Sequence, residues 1–278
     1  MSWLQSIVIA ILQGATEMLP VSSLGHAVVL PGMLGMKIDQ ASADFLPFIV
    51  LLHLGTAVAL LCYFWRDWWS LGVVSLGFGR RADVYAARRM VMLIVVATIP
   101  AAIAGLLLEK FVRGLFATPA ISAVFLILNG FLLLFGEGLR AKTHRPLHAI
   151  TWIDALFIGC FQCLALLPGV SRAGSTMVAG LLRGINHAGS AHFSFLIATP
   201  IIFGATIHQA PKLLHAQVQP GVFMMAAVAA VVSGVVAWLA TWLLMRFFRT
   251  HDNWALTPFA IYCMLFGTLS LTMHYFWV

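Results

Sequence analysis

Two segments rich in proline, glycine and serine decide the fold: Leu19-Pro20-Val21-Ser22-Ser23-Leu24-Gly25-His26 and Leu167-Pro168-Gly169-Val170-Ser171-Arg172-Ala173-Gly174-Ser175. Each interrupts an apolar stretch, roughly 3–34 and 151–183, at its middle. The flanks are about 10–16 residues long, whereas a helix needs about 20 residues to cross a bilayer. Non-helical backbone at membrane depth is tolerated only where protein buries it or where it lines a wet cavity. We therefore predict two re-entrant helix hairpins whose breaks form one polar site inside the membrane.

The composition is typical of a membrane protein. Of the 278 residues, 62% are hydrophobic and only 9% are charged, whereas a soluble domain carries about 25% charged residues. Six further segments are long and apolar enough to span a bilayer, at roughly 44–65, 90–109, 119–139, 190–208, 221–245 and 255–277. We predict an all-α integral membrane protein that forms a single membrane domain over residues 1–278.

An internal repeat relates the two breaks. Pro20 and Pro168 are 148 positions apart, and Ser42-Ala43-Asp44-Phe45 matches Ser190-Ala191-His192-Phe193 at the same offset. His53-Leu54-Gly55-Thr56-Ala57 also resembles Ile202-Phe203-Gly204-Ala205-Thr206 at an offset of 149. Each half consists of one hairpin, which returns to the side where it entered, and three spans, which end on the opposite side. The second half therefore starts on the opposite face, and the halves, approximately 1–143 and 149–278, have inverted topology. Such repeats place binding sites near the bilayer midplane. The alternative to a repeat is that these strings of small residues match by chance.

The net charge of +7 is distributed as the positive-inside rule predicts, so it does not indicate nucleic acid. If the loop 66–89 is cytoplasmic, four basic residues lie outside, namely Lys37, Lys110, Arg113 and Lys212. Eleven lie on the cytoplasmic side, namely Arg66, Arg80, Arg81, Arg88, Arg89, Arg140, Lys142, Arg145, Arg183, Arg246 and Arg249. Hairpin one then enters from outside and hairpin two from the cytoplasm.

Three ionisable side chains lie in or beside the breaks: Glu17, His26 and Arg172. Ionisable groups at membrane depth are costly and mark functional sites. Arg172 offers a permanently charged fork for phosphate oxygens, Gly169 and Gly174 permit close backbone approach, and helix N-termini at the tips favour anions. Hydroxyls accompany them at Thr16, Ser22, Ser23, Ser171, Ser175 and Thr176. This combination predicts a phosphorylated ligand.

The roles of individual residues stay open from the sequence. Glu17 could bind a divalent cation next to phosphate, act as a general base, or form only an ion pair with Arg172. Ser23 and His26 are three positions apart, so in a helix they share a face and could form an activated nucleophile. The alternative is that a serine only caps the helix and His26 only packs. Ser171 is a second candidate nucleophile.

The two breaks resemble the motifs of a known family. Gln13-Gly-Ala-Thr-Glu17-Met-Leu-Pro-Val-Ser-Ser-Leu-Gly-His26 resembles the Glu/Gln-x-x-x-Glu and Ser-Ser-x-Gly-His motifs of the bacterial undecaprenyl pyrophosphate phosphatase (undecaprenyl-diphosphatase) family. Leu167-Pro-Gly-Val-Ser-Arg172-Ala-Gly-Ser-Thr176 resembles its Pro-Gly-x-Ser-Arg-x-x-x-Thr motif. Pro258-Phe-Ala-Ile-Tyr262 is similar to a further segment of that family. The resemblance covers nearly the whole chain.

The resemblance implies removal of the terminal phosphate from undecaprenyl diphosphate, which yields the lipid carrier for peptidoglycan synthesis. It also implies Mg²⁺ or Ca²⁺ dependence, bacitracin resistance and a site toward the periplasmic face of the bacterial inner membrane. By motif position the catalytic residues are Glu17, Ser23, His26 and Arg172, with Glu17 also on the metal. The expected substrate-binding residues are Gln13, Ser22, Ser171, Gly169, Gly174 and Thr176. Gln13 replaces a frequent Glu, and Ala173 replaces a frequent Ser.

Two rival functions remain from the sequence. A transporter or flippase of the isoprenyl lipid phosphate would also use inverted repeats. A phosphatase of the other membrane lipid-phosphatase class fits less well, because its Lys-x₆-Arg-Pro motif is missing. The sequence leaves the attacking group (Ser23, Ser171 or water), the native cation and the oligomeric state open, with a homodimer as one alternative.

Overall fold

The computed structural model describes residues 1–36, 45–116, 118–140, 145–215 and 220–276. Within these ranges the chain is helical, with no β-strand longer than one isolated bridge between Arg145 and Ile185. The α-helices in chain order are α1 Trp3–Met18, α2 Ser23–Met33, α3 Phe45–Tyr63, α4 Trp65–Ser75, α5 Arg81–Phe116, α6 Pro119–Gly138, α7 Trp152–Gln162, α8 Arg172–Leu182, α9 His187–His215, α10 Pro220–Thr250 and α11 Thr257–Phe276. Short 3₁₀ helices occupy Leu147–Ala149 and Cys163–Leu166.

Within the described ranges, five helices are long and apolar enough to cross a membrane. These segments are Arg81–Leu108, Pro119–Gly138, His187–Gln209, Phe223–Thr250 and Thr257–Phe276. They correspond to five of the six spans predicted from hydropathy. The sixth, predicted at 44–65, corresponds to α3, which qualifies only together with α4 across a bend of 71°. The chain is therefore a multi-pass integral membrane protein with five or six spans.

The two predicted breaks are present in the structure. Proline disfavours helical backbone in the residue before it, and Leu19 and Leu167 are accordingly extended, with ψ of 151° and 126°. After each break, a serine side chain caps the N-terminus of the following helix. Ser22 Oγ accepts a hydrogen bond from Gly25 N at 3.2 Å, and Ser171 Oγ accepts one from Gly174 N at 3.1 Å. Within each pair the two helices pack on each other, α1 on α2 and α7 on α8.

The segment 66–89, predicted as a loop, is mostly helical instead. Helix α4 has no fully buried residue, and it exposes Trp65 and Trp69 while the Arg66 guanidinium lies 5.4 Å from the Trp65 ring centroid. Helix α5 begins at Arg81, well before its apolar part, with Asp83 in its first turn. Hydropathy detects only the apolar part of a helix, so these polar and interfacial turns were missed.

Small residues allow the helices to approach closely. A Cβ added at Gly55 on α3 would lie 2.1 Å from the Ala230 carbonyl oxygen on α10, and one at Gly159 on α7 would lie 2.5 Å from the Ala97 oxygen on α5. Membrane helices associate through such close packing because lipid tails provide no hydrophobic drive. Helix α6 packs similarly along α11. These contacts form the frame that holds the two breaks.

A buried polar cluster joins α6, α9 and the α10–α11 connection. Glu137 Oε1 accepts from Leu256 N at 2.6 Å and lies 2.9 Å from His187 Nε2. His187 Nδ1 lies 2.8 Å from Asp252 Oδ1. Sequence analysis gave Glu137 no role, although it lies at the end of a predicted span. Its contacts fix the ends of three helices, because each buried polar atom needs a partner.

The close packing of α3 on α10 can be tested with a matched pair of glycines. Gly55→Ala should lower the melting temperature in detergent, because the new Cβ displaces backbone at a cost of about 1–3 kcal/mol. Gly204→Ala, at the repeat-related position on α9, has no atom within 4 Å of the added Cβ. That control should leave the melting temperature unchanged or raise it slightly. Equal melting of Gly55→Ala and wild type would contradict this packing.

Candidate active site

A cavity of about 290 Å³ lies between the two breaks and helices α3, α5 and α9. Its wall contains five of the predicted site residues and several apolar side chains from the surrounding helices. The predicted residues in the wall are Glu17, Ser22, Ser23, Ser171 and Arg172. The cavity is therefore polar where the breaks meet and apolar where the spans surround it.

The two breaks touch directly. Arg172 Nη2 lies 3.4 Å from Glu17 Oε1, and Ser171 Oγ donates to the Leu19 carbonyl oxygen at 3.3 Å. A Cβ added at Gly25 would lie 3.0 Å from Gly169 Cα. The contact expected from the sequence between the two interruptions is therefore formed, although they are more than 140 positions apart.

Asn129 on α6 joins the backbones of both breaks. Its Nδ2 donates to the Pro20 carbonyl oxygen at 3.0 Å, and its Oδ1 accepts from Ser171 N at 2.9 Å. The side chain is fully buried. Sequence analysis missed Asn129, although an amide in the middle of the apolar span 119–139 was a usable signal, since polar groups at membrane depth need partners.

Glu17 is the centre of the site's polar contacts. Its Oε2 accepts from Ser23 Oγ at 2.6 Å and from Gln13 Nε2 at 3.0 Å. His53 Nε2 lies 3.6 Å from the same oxygen, and Arg172 lies beside Oε1. The Glu17 side chain is only 8% exposed. The donors of Ser23, Gln13 and Arg172 therefore replace the water that a carboxylate otherwise requires.

His26 is not paired with Ser23, in contrast to one of the two predicted alternatives. His26 Nδ1 donates to the Ser22 carbonyl oxygen at 2.6 Å, because a carbonyl can only accept. Nε2 then accepts from the Tyr262 hydroxyl at 2.8 Å, and the ring stacks on Phe266 with centroids 4.6 Å apart. Both ring nitrogens are thus engaged, and the base in contact with Ser23 is Glu17.

The backbone at Ser22 is strained. Its φ of 63° and ψ of 98° lie where non-glycine residues are uncommon, and such conformations cost about 1–3 kcal/mol. The hydrogen bond from His26 to the Ser22 carbonyl oxygen and the cap from Ser22 Oγ to Gly25 N hold this conformation. The tip therefore presents Ser23 at the start of α2 in a fixed position beside Glu17.

The second break presents Arg172 as the first residue of α8. Arg172 Nη1 lies 3.4 Å from the Ser194 carbonyl oxygen on α9, within hydrogen-bond reach. Thr176 Oγ1 binds Ser194 Oγ at 2.7 Å and donates to the Arg172 carbonyl oxygen at 2.8 Å. Thr176 is therefore buried between α8 and α9, where it fixes the helix that carries Arg172.

Five predicted residues lie behind the cavity wall instead of in it: Gln13, His26, Gly169, Gly174 and Thr176. Gly169 has a φ of 108°, and a Cβ there would lie 2.4 Å from the Ser122 carbonyl oxygen. A Cβ at Gly174 would lie 3.1 Å from a Leu133 methyl group. Both glycines serve close packing of the second break against α6, which side-chain bulk would prevent.

Sequence analysis missed other side chains of the site. His53 appeared only within the internal repeat, with no contact assigned to it, and Gln162 and Gln209, which also line the cavity, were given no role. Tyr262 appeared only within a similar segment, with no contact assigned to it. The contacts of His53 with Glu17 and of Tyr262 with His26 join residues distant in sequence, so local spacing could not reveal them.

Comparison with known proteins identifies the family of this chain. The family profile described as bacitracin resistance protein BacA matches residues 6–269. The chain belongs to the BacA family. A Granulibacter bethesdensis protein named undecaprenyl-diphosphatase is 57% identical over 289 aligned residues, covering 99% of this chain and 98% of that protein. Proteins with the same name from Acidiphilium cryptum and Gluconacetobacter diazotrophicus are 53% and 48% identical, and each alignment covers at least 96% of both chains.

The donor set in this BacA-family chain fits a divalent cation. Glu17 supplies a carboxylate, and the neighbouring Gln13, whose Nε2 donates to Glu17 Oε2, has a buried Oε1 without a hydrogen-bond partner. Across the described ranges no group of three or more His, Cys, Asp and Glu side chains is arranged to hold a metal. A site with few protein ligands suits Mg²⁺, which typically keeps waters and binds substrate phosphates.

The bridge formed by Asn129 can be tested by its removal. Asn129→Ala should lower the free energy of unfolding, because the Pro20 carbonyl and the Ser171 N–H would remain buried without partners, at about 1–3 kcal/mol each. Ser122→Ala on the same helix is the matched control, since Ser122 Oγ has no hydrogen-bond partner to lose. Thermal unfolding in detergent measures both. If the two variants melted alike, Asn129 would not join the breaks.

Proposed function

We propose that this BacA-family chain hydrolyses undecaprenyl diphosphate to undecaprenyl phosphate and inorganic phosphate. The observation that carries the proposal is the 2.6 Å hydrogen bond from Ser23 Oγ to Glu17 Oε2, in a cavity that also contains Arg172. A nucleophile, its base and a fixed cation are the parts that phosphoryl transfer needs. The names of the three relatives, each undecaprenyl-diphosphatase, support the same substrate.

The cavity wall suits a lipid diphosphate. Ile49, Val50, Leu166, Ile201 and Ile202 line its apolar part, where an isoprenyl tail can lie between spans. The diphosphate then meets Arg172 and the N-terminus of α8, whose free N–H groups and dipole favour anions. Arg172 can bind two phosphate oxygens at once. The product would be the lipid carrier of peptidoglycan synthesis, regenerated for another cycle.

The contacts support Ser23 as the nucleophile and Glu17 as its base. Ser23 Oγ would attack the terminal phosphorus while its proton passes to Glu17 Oε2, and the anhydride bond to undecaprenyl phosphate would break. The proton would pass from Glu17 to the departing undecaprenyl phosphate, which restores the carboxylate. Glu17 would then take a proton from the water that attacks the phosphoserine and return it to Ser23 Oγ as inorganic phosphate leaves. His26 would position the tip through Ser22, a role that replaces its expected role as the base. Mg²⁺ or Ca²⁺ bound at Glu17 would neutralise phosphate charge beside the carboxylate.

We further propose the inverted repeat of halves 1–143 and 149–278, with re-entrant hairpins. Helices at equivalent positions in the two halves make equivalent contacts, as this symmetry requires. The packing of α1 on α10 corresponds to that of α7 on α5, and the packing of α3 on α10 corresponds to that of α9 on α5. Helix α6 packs on its own counterpart, α11. Among the described residues, helix α4 has no counterpart in the second half. The match at 42–44, Lys37 and Lys142 lie outside the described residues, and so do the side chains of Lys110, Arg113 and Lys212.

The site would open toward the periplasm. From α4 to the first turns of α5 the chain carries exposed Arg66, Arg80, Arg81 and Arg88, which the positive-inside rule assigns to the cytoplasm. The first hairpin would then enter from the opposite face and bring Glu17 and Ser23 from outside. Hydrolysis on that side would act on lipid diphosphate left by polymerisation of the cell wall.

Phosphate release by the purified protein in detergent tests the proposed reaction. Wild type should release phosphate from undecaprenyl diphosphate with Mg²⁺ or Ca²⁺, and a chelator should stop it. Ser23→Ala should lower release by about 10³-fold or more while lipid binding persists, and Glu17→Gln by about 10²–10⁴-fold. Ser122→Ala should keep activity. Full turnover by Ser23→Ala would exclude the covalent route, and an inactive wild type would favour the rival function of lipid transport.

Cysteine labelling in intact cells tests the proposed orientation. Leu34 follows the first hairpin and Phe78 lies between α4 and α5, and both are more than half exposed. In a background without the four native cysteines, a membrane-impermeant maleimide should label Leu34→Cys from outside. Phe78→Cys should react only after permeabilisation. The reverse pattern would place the site on the cytoplasmic side.

A further inference from the structure

His53 on α3 faces the catalytic carboxylate from a span that neither break contributes. Its Nδ1 lies 2.9 Å from the Ile49 carbonyl oxygen, one turn earlier on α3. Because a carbonyl only accepts, Nδ1 carries the hydrogen, and Nε2 presents its lone pair when the ring is neutral. That Nε2 lies 3.6 Å from Glu17 Oε2, and both residues line the cavity.

A carboxylate and an imidazole nitrogen directed at one place are stabilised by a positive charge between them, which is either a proton on Nε2 or a bound cation. A neutral imidazole nitrogen and a carboxylate oxygen repel each other, and 3.6 Å exceeds the length of a hydrogen bond between them. Metal-bound histidines show the arrangement of His53, because their other ring nitrogen donates to a backbone carbonyl or carboxylate that fixes the ring. His53 therefore has the tautomer and orientation of a metal ligand.

The spacing also suits one shared cation. Two ligand atoms that each lie about 2.0–2.2 Å from a metal are roughly 3–4 Å apart, which includes the separation of His53 Nε2 and Glu17 Oε2. Binding of the cation would displace Gln13 Nε2 from Glu17 Oε2, and a turn of the Gln13 amide would then direct its buried Oε1, which has no hydrogen-bond partner, to the cation as a third ligand atom on the α1 side. The cation would then be held between α1 and α3, next to Ser23.

We propose that His53 Nε2 is a protein ligand of the divalent cation at Glu17, and that it makes this site prefer Mn²⁺ over Ca²⁺. The inference rests on the proposed function insofar as it assigns a cation to Glu17. Ca²⁺ is bound by oxygen ligands, whereas imidazole suits first-row transition metals. A nitrogen ligand in an otherwise oxygen-based site therefore shifts the preference away from Ca²⁺.

Electron paramagnetic resonance on the full-length protein in detergent, with Mn²⁺ as the probe, tests this directly. Spin-echo modulation of bound Mn²⁺ should show the nitrogen coupling of a directly bound imidazole in wild type. The coupling should disappear in His53→Ala and His53→Gln. His251→Ala removes an exposed histidine at the end of α10 and should keep it. Mn²⁺ affinity should fall about tenfold or more in His53→Ala. Ca²⁺ affinity, measured by its competition with Mn²⁺ for the site, should change less than threefold.

The outcomes separate this inference from the proposed reaction. Bound Mn²⁺ without imidazole coupling in wild type would overturn the inference, and phosphate release by the same preparation would leave the hydrolase proposal intact. Equal loss of Mn²⁺ and Ca²⁺ affinity in His53→Ala would also overturn it. Loss of activity in His53→Ala with unchanged Mn²⁺ binding would also overturn the inference, and it would assign His53 a role in proton transfer. Thermal melting of each variant excludes unfolding as the cause, and His53→Gln gives a second, similarly sized replacement.

Discussion

Backbone polar groups at membrane depth have no water to bind, and the whole site follows from this constraint. Each proline break frees carbonyl and N–H groups that the protein itself must satisfy. Asn129 binds one group from each break, and Ser171 Oγ binds the Leu19 carbonyl oxygen. Because the breaks satisfy one another, they have to meet, and their meeting creates a polar cavity surrounded by apolar helices.

The same constraint determines the chemistry of the cavity. A buried carboxylate must be surrounded by donors, and Glu17 obtains them from Ser23, Gln13 and Arg172. In the proposed reaction, the hydrogen bond that stabilises the carboxylate would also prepare Ser23 for attack. Removal of Glu17 should therefore affect the stability of the site and the proposed chemistry together.

Sequence predicted the elements that depend on local chemistry. Pro20 and Pro168 fixed the breaks, and hydropathy located the spans, because both properties act over a few residues. It missed α4 and the start of α5, since hydropathy does not detect polar turns. In the site, the spacing of Ser23 and His26 correctly predicted a shared helix but not their partners. Ser23 contacts Glu17 across the first break, and His26 contacts Tyr262, which only tertiary packing brings to the site.

The two halves contribute unequally to the proposed repeat. At the offset of 148, Glu17 corresponds to Ala165 and Arg172 to Leu24, while Ser23 corresponds to Ser171. The proposed base, Glu17, thus has no equivalent in the second break, and the proposed phosphate-binding cation, Arg172, has none in the first. A cavity built symmetrically on the opposite face would have neither the Glu17–Ser23 contact nor a free arginine, so one side alone can catalyse. This asymmetry argues for a hydrolase over a carrier, because a carrier needs equivalent access from both faces.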